Sequence, residues 1–104
     1  DAARLKKQWA AIDKLNAGMK GFRILKGSET DILPDGTLDW PDEILAKLDF
    51  VIASVHSHFT LSREEQTKRT IRAIAHPKVS MIGPYATLRV GQYVHTLPIR
   101  RLAF

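Results

Sequence analysis

The sequence predicts an α/β fold, in which short parallel strands alternate with helices that cross over between them. Three observations support this prediction. Helix and strand patterns alternate along the chain, beginning with a helix and ending with a strand. Residues 50–53 form a short, continuously apolar run, which is typical of a strand buried on both faces. The chain has only 104 residues, enough for one domain. A closed (β/α) barrel needs more strands, so we expect a slice of a barrel or a small open sheet.

The first helix is predicted over residues 2–17, where apolar residues recur at spacings of three and four. The members of this apolar stripe are Leu5, Trp9, Ile12, Leu15 and Met19. A strand is predicted within residues 22–32, and its apolar side chains place it chiefly at residues 22–26. The Pro-Asp-Gly sequence at residues 34–36 predicts a turn, because proline presets φ and glycine can adopt a positive φ.

The second half of the alternation begins with a short helix at Pro41, since proline is well suited to a first helical turn. Residues 48–55 are the strongest strand prediction, and residues 79–82 are a further strand. Between these strands, Ser62 and Glu65 have the spacing of a capping box and predict a helix that runs to about residue 75. Its inward face is predicted from its isoleucines, which are Ile71 and Ile74.

The formal net charge is +5, from 16 basic and 11 acidic residues, and it is unevenly distributed. All the acids lie within residues 1–65, where they slightly outnumber the basic residues. The basic residues of the acid-free remainder are Lys68, Arg69, Arg72, Lys78, Arg89, Arg100 and Arg101. They indicate either a solvated basic region or a phosphate-facing surface. Residues 84–104 have no clear pattern, so we divide the chain into residues 1–83 and a basic tail of uncertain structure.

Several classes of site are excluded by composition and motif. The absence of cysteine excludes disulfides, thiolate zinc sites and cysteine nucleophiles. The sequence contains no glycine-rich phosphate loop, no G-x-S-x-G elbow and no cluster of aromatic residues for stacking bases. No apolar run approaches the roughly 20 residues that span a bilayer, and the first residues lack a signal-type apolar region. We therefore expect a fragment or mature piece, located in the cytoplasm and not bound to a membrane.

The candidate site residues follow from the rule that functional side chains of parallel α/β folds lie at the carboxyl ends of strands. The rule selects Glu29 and Asp31 after one predicted strand, and His56 and His58 after another. A carboxylate and an imidazole at adjacent strand ends could share a divalent cation. The alternatives are a surface acid, a turn cap at Asp31, and histidines that are merely hydrogen-bonded or exposed. His76 is expected to cap a helix end.

These residues belong to a sequence that resembles the PHP (polymerase and histidinol phosphatase) domain, in the form found at the carboxyl end of bacterial family X DNA polymerases. The resemblance covers about residues 4–83, and DILPDG and VIASVHS lie at the family's spacing. The similar segments are residues 21–36 (GFRILKGSETDILPDG), 48–57 (LDFVIASVHS), 59–65, 67–75 and part of the opening helix.

The resemblance implies a fragment of a distorted (β/α)7 barrel whose parallel strands and crossover helices surround a centre of two or three metal ions. It implies a metal-dependent phosphoesterase with 3′–5′ exonuclease and 3′-phosphatase activity in DNA repair, acting on DNA 3′ ends through the parent protein. Divalent Mn or Zn is implied as cofactor, with Mg as a further possibility. Carried over to this chain, Glu29 matches the acidic ligand of the family's G-x-E motif and His56 matches the histidine of its S-V-H-S motif.

The sequence also departs from the family pattern. The family's H-x-H and D-x-H motifs are absent, and its G-H-P motif reads Gly83-Pro84-Tyr85 here. We expect a truncation, an altered reading frame or an engineered boundary, and a fragment that is inactive on its own and can associate with itself through uncovered barrel edges. The alternatives are a noncatalytic DNA- or subunit-binding fragment and a free-standing PHP phosphatase acting on a small phosphate ester.

Overall fold

The computed structural model describes residues 1–83, which form a mixed α/β arrangement around a small sheet. The helices are α1 (Ala2–Ala17), α2 (Asp42–Leu45) and α3 (Arg63–Ala75), and the strands are β1 (Gly27–Asp31), β2 (Phe50–Ser54) and β3 (Met81–Ile82). The predicted alternation of helices and strands is confirmed. The predictions made for residues 84–104, which include Arg89, His95, Arg100 and Arg101, lie outside the described residues.

The sheet has the order β1-β2-β3, and both strand pairs are parallel. In the β1–β2 register Glu29 lies opposite Ile52 and Asp31 lies opposite Ser54. Parallel pairing brings the carboxyl ends of all three strands to one edge of the sheet. Residues 1–83 form an open sheet, so the predicted parallel α/β architecture is confirmed and a closed barrel is not formed by this part of the chain.

Strand β1 begins later than its apolar residues suggested. Phe22 and Leu25 are 70% and 47% exposed, and the segment that contains them is not a strand. Instead the Asn16 side chain both donates to and accepts from the backbone of Ile24, at 2.9 and 2.8 Å. This fastens the segment to the end of α1, so pairing with β2 starts only at Gly27. The strand predicted within residues 22–32 is therefore present, but its placement at residues 22–26 is wrong.

The core lies on one face of β2. Val51, Ala53 and Val55 project to the same face and are at most 2% exposed. Val51 packs in a cluster with Trp9, Ile44, Leu45 and Leu48, and the other two pack with Ile32 and Ala73. On the opposite face Phe50 and Ile52 are only half-buried, and Ser54 is buried. The prediction that β2 is buried on both faces holds only at its carboxyl end.

Helix α3 begins where the sequence predicted, but it buries a different face. Both halves of the capping box are present, with Ser62 Oγ accepting from the Glu65 N–H at 3.2 Å and Glu65 accepting from the Ser62 N–H at 3.0 Å. The buried residues are Gln66, Arg69 and Ala73, whereas Ile71 is 53% exposed. The predicted inward face was wrong at Ile71, because α3 is rotated so that Gln66 and Arg69 face the ends of β1 and β2. Leu15 of the α1 stripe is also exposed.

Among residues 1–83, none of the helices combines the length and apolar character needed to cross a membrane.

Candidate metal and phosphoester site

Three ionisable side chains meet at the carboxyl edge of the sheet. Glu29 and Asp31 are two residues apart on β1, so their side chains project to the same face. His56 lies two residues beyond the end of β2, and the ladder continues past the strand because the Ile32 N–H donates to Ser54 O at 2.8 Å. The two carboxylates thus lie within the last three residues of β1, not after the strand as predicted.

The His56 imidazole lies between the two carboxylates. Its Nε2 is 3.0 Å from Glu29 Oε1, and its Nδ1 is hydrogen-bonded to Asp31 Oδ1. The three side chains are about one-third to one-half exposed, so the cluster is open to solvent and to ligands. A neutral imidazole has only one N–H donor, so it can donate to only one of two ionised carboxylates. The arrangement favours a positive charge at this point, supplied either by a proton on the ring or by a cation.

The hydrogen bond that the His56 ring donates to Asp31 raises the pKa of the imidazole above its ordinary value, and the negative charges of Asp31 and Glu29 act in the same direction. Partial burial opposes this shift without reversing it. The protonated ring is therefore favoured by the folded state.

This shift predicts a pH dependence of stability. A histidine whose folded pKa is raised stabilises the fold fully below its unfolded pKa, about 6.5, and loses that contribution as pH rises through the folded pKa. We expect wild type to exceed His56→Gln in melting temperature by more at pH 6 than at pH 9. In a Glu29→Gln/Asp31→Asn background the same comparison should show little change with pH. Thermal melts by circular dichroism measure the difference, and an equal gap at both pH values in the wild-type background would contradict the expectation.

The donor types fit a divalent cation as part of a site. Two ligands of one cation lie about 3 Å apart when each is about 2.1 Å from it, which matches the separation of His56 Nε2 and Glu29 Oε1. Asp31 contacts the other ring nitrogen, Nδ1, on the opposite side of the imidazole from Nε2. Asp31 is therefore not placed to bind a cation that Nε2 and Glu29 hold. Within residues 1–83, no three His, Asp or Glu side chains are arranged to hold a metal ion together. Glu29 and His56 can therefore supply two donors of a larger set.

The other predicted histidines lie elsewhere. His58 has a φ of 55°, and its Nδ1 contacts the neighbouring Ser57 Oγ at 3.0 Å. His58, like His56, lies beyond the end of β2. His76 is the C-cap residue of α3, as predicted, and its Nε2 lies 3.4 Å from Asp42 Oδ1. Asp31 does not cap the turn, which is closed instead by Asp35 accepting from Thr37 N–H and Oγ1–H.

The structure adds a supporting acid, Asp39, that sequence reasoning did not single out. Its Oδ1 accepts from Thr30 Oγ1 at 2.6 Å and from the Asp31 N–H at 2.9 Å, and its own N–H donates to Asp31 O at 3.1 Å. These bonds hold the end of β1 on the side away from β2. The only sequence signal was proximity to the turn at residues 34–36, which returns the chain toward β1.

The basic residues of the acid-free region do not form one cationic surface in the described part of the chain. Arg69 is 1% exposed and cannot contact phosphate, and burial lowers the pKa of its guanidinium. Lys68 pairs with Glu64 at 3.1 Å. Arg72 and Lys78 donate to the backbone carbonyls of other segments, at 3.0 and 2.9 Å. Much of this charge therefore serves contacts within the protein.

Comparison with known proteins places this site in context. The chain is 51% identical over 90 residues to the DNA polymerase/3′–5′ exonuclease PolX of Bacillus subtilis (strain 168), an alignment that covers 79% of this chain and 16% of PolX. The chain is homologous to one part of that protein. It is also 46% identical over 88 residues to a probable phosphatase of Caldanaerobacter subterraneus, covering 81% of this chain and 33% of the phosphatase.

Further relatives carry the same name. A probable phosphatase of Thermoanaerobacter sp. (strain X514) is 48% identical over 69 residues, which cover 62% of this chain and 28% of that protein. The chain thus spans about a sixth of PolX and about a third of the phosphatases. No family model matches the chain. The names of its relatives support a phosphoesterase-type region.

Proposed function

We propose that this chain is part of a PHP-type, metal-dependent phosphoesterase domain of a family X DNA polymerase, one that acts on DNA 3′ ends. The polymerase branch is favoured because the relative named PolX has higher identity, 51%, than the probable phosphatases, at up to 48%. The PolX name itself includes a 3′–5′ exonuclease, which is a phosphoesterase activity on a DNA end.

One observation carries the proposal at the level of the site. His56 Nε2 and Glu29 Oε1 lie 3.0 Å apart, at the carboxyl ends of two paired parallel strands. Imidazole nitrogen together with carboxylate oxygen suits Mn or Zn, while Mg prefers an all-oxygen set. We therefore assign Glu29 and His56 as two ligands of a divalent cation, with Mn or Zn as the preferred ion.

Within this assignment the three side chains have separate roles. Asp31 would accept a hydrogen bond from the Nδ1–H of His56, which would leave Nε2, 3.0 Å from Glu29 Oε1, as the ring nitrogen that donates to a cation. A bound divalent cation would supply positive charge to the phosphoryl oxygens and lower the pKa of nearby water. Glu29 contributes negative charge that balances the cation, and its 50% exposed side chain leaves room for a phosphoester to approach.

Cation binding can be measured directly on the chain. Titration with Mn²⁺ should broaden the NMR signals of Glu29 and His56, and titration with Zn²⁺ should shift them. His56→Ala and Glu29→Gln should each weaken binding by about tenfold or more, since each removes a ligand of a site with few donors. His76→Ala is the matched control, because His76 also lies beside a carboxylate, that of Asp42. Equal binding by wild type and His56→Ala would refute the assignment.

Hydrolysis by this chain alone is expected to be very weak. Two ligands do not define the coordination geometry that metal-assisted hydrolysis requires, and residues 1–83 offer no third donor at the same point. The assay is release of nucleotides or phosphate from 3′-recessed and 3′-phosphorylated DNA in the presence of Mn²⁺. Robust hydrolysis by wild type that His56→Ala abolishes would contradict the expected inactivity while supporting the site.

A second candidate is a phosphatase acting on a small phosphate ester, favoured by the several relatives named probable phosphatases. The site chemistry would be the same, and the two candidates differ in the protein that surrounds it. Sequencing the open reading frame upstream and downstream of the DNA that encodes this chain distinguishes the two candidates. A polymerase domain upstream supports the family X proposal, and a short frame without one supports the phosphatase.

A further inference from the structure

A buried arginine of α3 lies next to the strand ends that carry the site. Arg69 of α3 is the largest fully buried side chain among residues 1–83, with 1% of its surface exposed. In the described part of the chain no carboxylate oxygen lies within ion-pair distance of its guanidinium. Its charge is instead satisfied by hydrogen bonds to neutral oxygens.

The guanidinium donates to two segments that are distant in sequence. Nε donates to Leu33 O at 3.2 Å, and Nη2 donates to Ile32 O. Nη1 lies 3.1 Å from Ser57 O and 3.3 Å from His58 O. The first two carbonyls directly follow β1 and the other two follow β2, so one planar group links the segments that leave the two strands.

A second side chain of α3 supports this linkage. Gln66 Oε1 accepts from Arg69 Nη1 at 3.1 Å, and Gln66 Nε2 donates to His58 O at 2.8 Å. Gln66 is itself 4% exposed. The capping box at Ser62 and Glu65 begins α3 at a defined residue, so it also sets where Gln66 and Arg69 meet the strand ends.

The linked segments are those next to the site. Asp31 immediately precedes Ile32, and His56 immediately precedes Ser57. Moving either segment by an ångström would change the separation between His56 and the β1 carboxylates. An apolar residue of similar volume could fill this space at lower desolvation cost, so stability alone does not explain a buried arginine. The rigid fork of five N–H donors adds a fixed geometry that no apolar side chain provides.

We propose that Arg69 is a positioning residue for the cluster of Glu29, Asp31 and His56. It holds the chain just beyond β1 and β2 at one spacing, which keeps His56 Nε2 and Glu29 Oε1 together. The consequence for cation affinity rests on the proposed function, whereas the consequence for the spacing of the two segments does not.

The test uses Arg69→Lys, which retains the positive charge but not the fork, in the 104-residue chain. Lys68→Met is the control for charge and helix position, since Lys68 is exposed on the same helix. We expect Arg69→Lys to weaken Mn²⁺ binding by about tenfold or more, the size of effect typical of residues that orient metal ligands. Lys68→Met should remain within about twofold of wild type. Circular dichroism establishes that each variant is folded at the temperature of the titration.

A metal-free measurement separates this proposal from the proposed function. Nuclear Overhauser contacts between the His56 ring and the Glu29 side chain should be present in wild type and Lys68→Met and lost in folded Arg69→Lys. Retained contacts together with unchanged Mn²⁺ affinity would overturn the positioning role. If wild type binds no Mn²⁺, the proposed function fails, and the Overhauser contacts alone decide whether Arg69 positions the cluster. If Arg69→Lys does not fold, Arg69→Met, which fills the same space without the N–H donors, takes its place, and wild-type contacts in that variant would overturn the proposal.

Discussion

Replacing Gly36 with alanine is expected to lower the free energy of unfolding by about 2–4 kcal/mol. Gly36 has a φ of +86°, in the left-handed region that disfavours residues with a Cβ atom. A Cβ there would lie 2.7 Å from Arg72 Cβ, 2.9 Å from Arg72 Cδ and 3.0 Å from Arg69 O. The Arg69 oxygen is backbone of α3 and cannot move without shifting the helix. Backbone strain and overpacking therefore combine at one position.

Two other glycines separate these contributions. Gly21 has a φ of +73° with open space around its Cβ position, so Gly21→Ala should cost only the backbone term, about 1–2 kcal/mol. Gly18 has a φ of −94° and only an ordinary contact, so Gly18→Ala should be neutral or slightly stabilising. Urea unfolding measured by circular dichroism ranks the three variants. An effect at Gly36 no larger than that at Gly21 would contradict the predicted clash.

Ile32→Ala is expected to destabilise the fold by about 2–5 kcal/mol, the range for truncating a fully buried isoleucine. Ile32 is 0% exposed and packs with Ala53, Val55 and Ala73, which join β2 to α3. The residue also adjoins the site, because it follows Asp31 and its carbonyl accepts from Arg69. We therefore expect Ile32→Ala to weaken Mn²⁺ binding as well, even under conditions in which the variant is folded.

Two matched variants test this reasoning. Ile32→Val removes one methylene from the same site and should cost about 0.5–1.5 kcal/mol. Ile71→Ala removes the same atoms from a side chain that is 53% exposed on α3, and surface changes of this kind usually stay within about 0.5 kcal/mol. Urea unfolding again gives the comparison. A loss at Ile71 equal to that at Ile32 would show that burial of Ile32 does not decide its contribution.

The elements that were correctly predicted have strong local signals. The apolar run of β2 and the capping box of α3 each lie within a few residues of sequence, and both elements formed where expected. Strand β1 was misplaced because its residues, GSETD, are mostly polar, while the apolar segment before it is fastened to α1 by the bonds between Asn16 and the Ile24 backbone. The inward face of α3 was misjudged for the same reason, since its buried positions include Gln66 and Arg69. Apolar patterning cannot identify a buried face that is polar.

The candidate site was predictable only in part. Strand ends in a parallel fold, together with the resemblance of GSETDILPDG and VIASVHS to a known family, selected Glu29 and His56. No local pattern indicated that both nitrogens of His56 face carboxylates, or that Asp39 and Arg69 support the strand ends from outside the cluster. For Arg69 the sequence favoured the opposite, because a basic residue in an acid-free segment suggested an exposed, phosphate-facing side chain.

The sequence by itself determined the order of the elements, the parallel α/β class and the strand ends near which the candidate residues Glu29 and His56 lie, because each of these depends on short segments with distinct patterns. Only the tertiary structure decided which atoms meet. The register of β1 against β2 places Glu29 and Asp31 beside His56, and the rotation of α3 turns Arg69 inward. Register and helix rotation follow from packing between segments that are distant in sequence, such as Arg69 and Ile32, which are 37 residues apart. That information resides in contacts between segments and in no single motif.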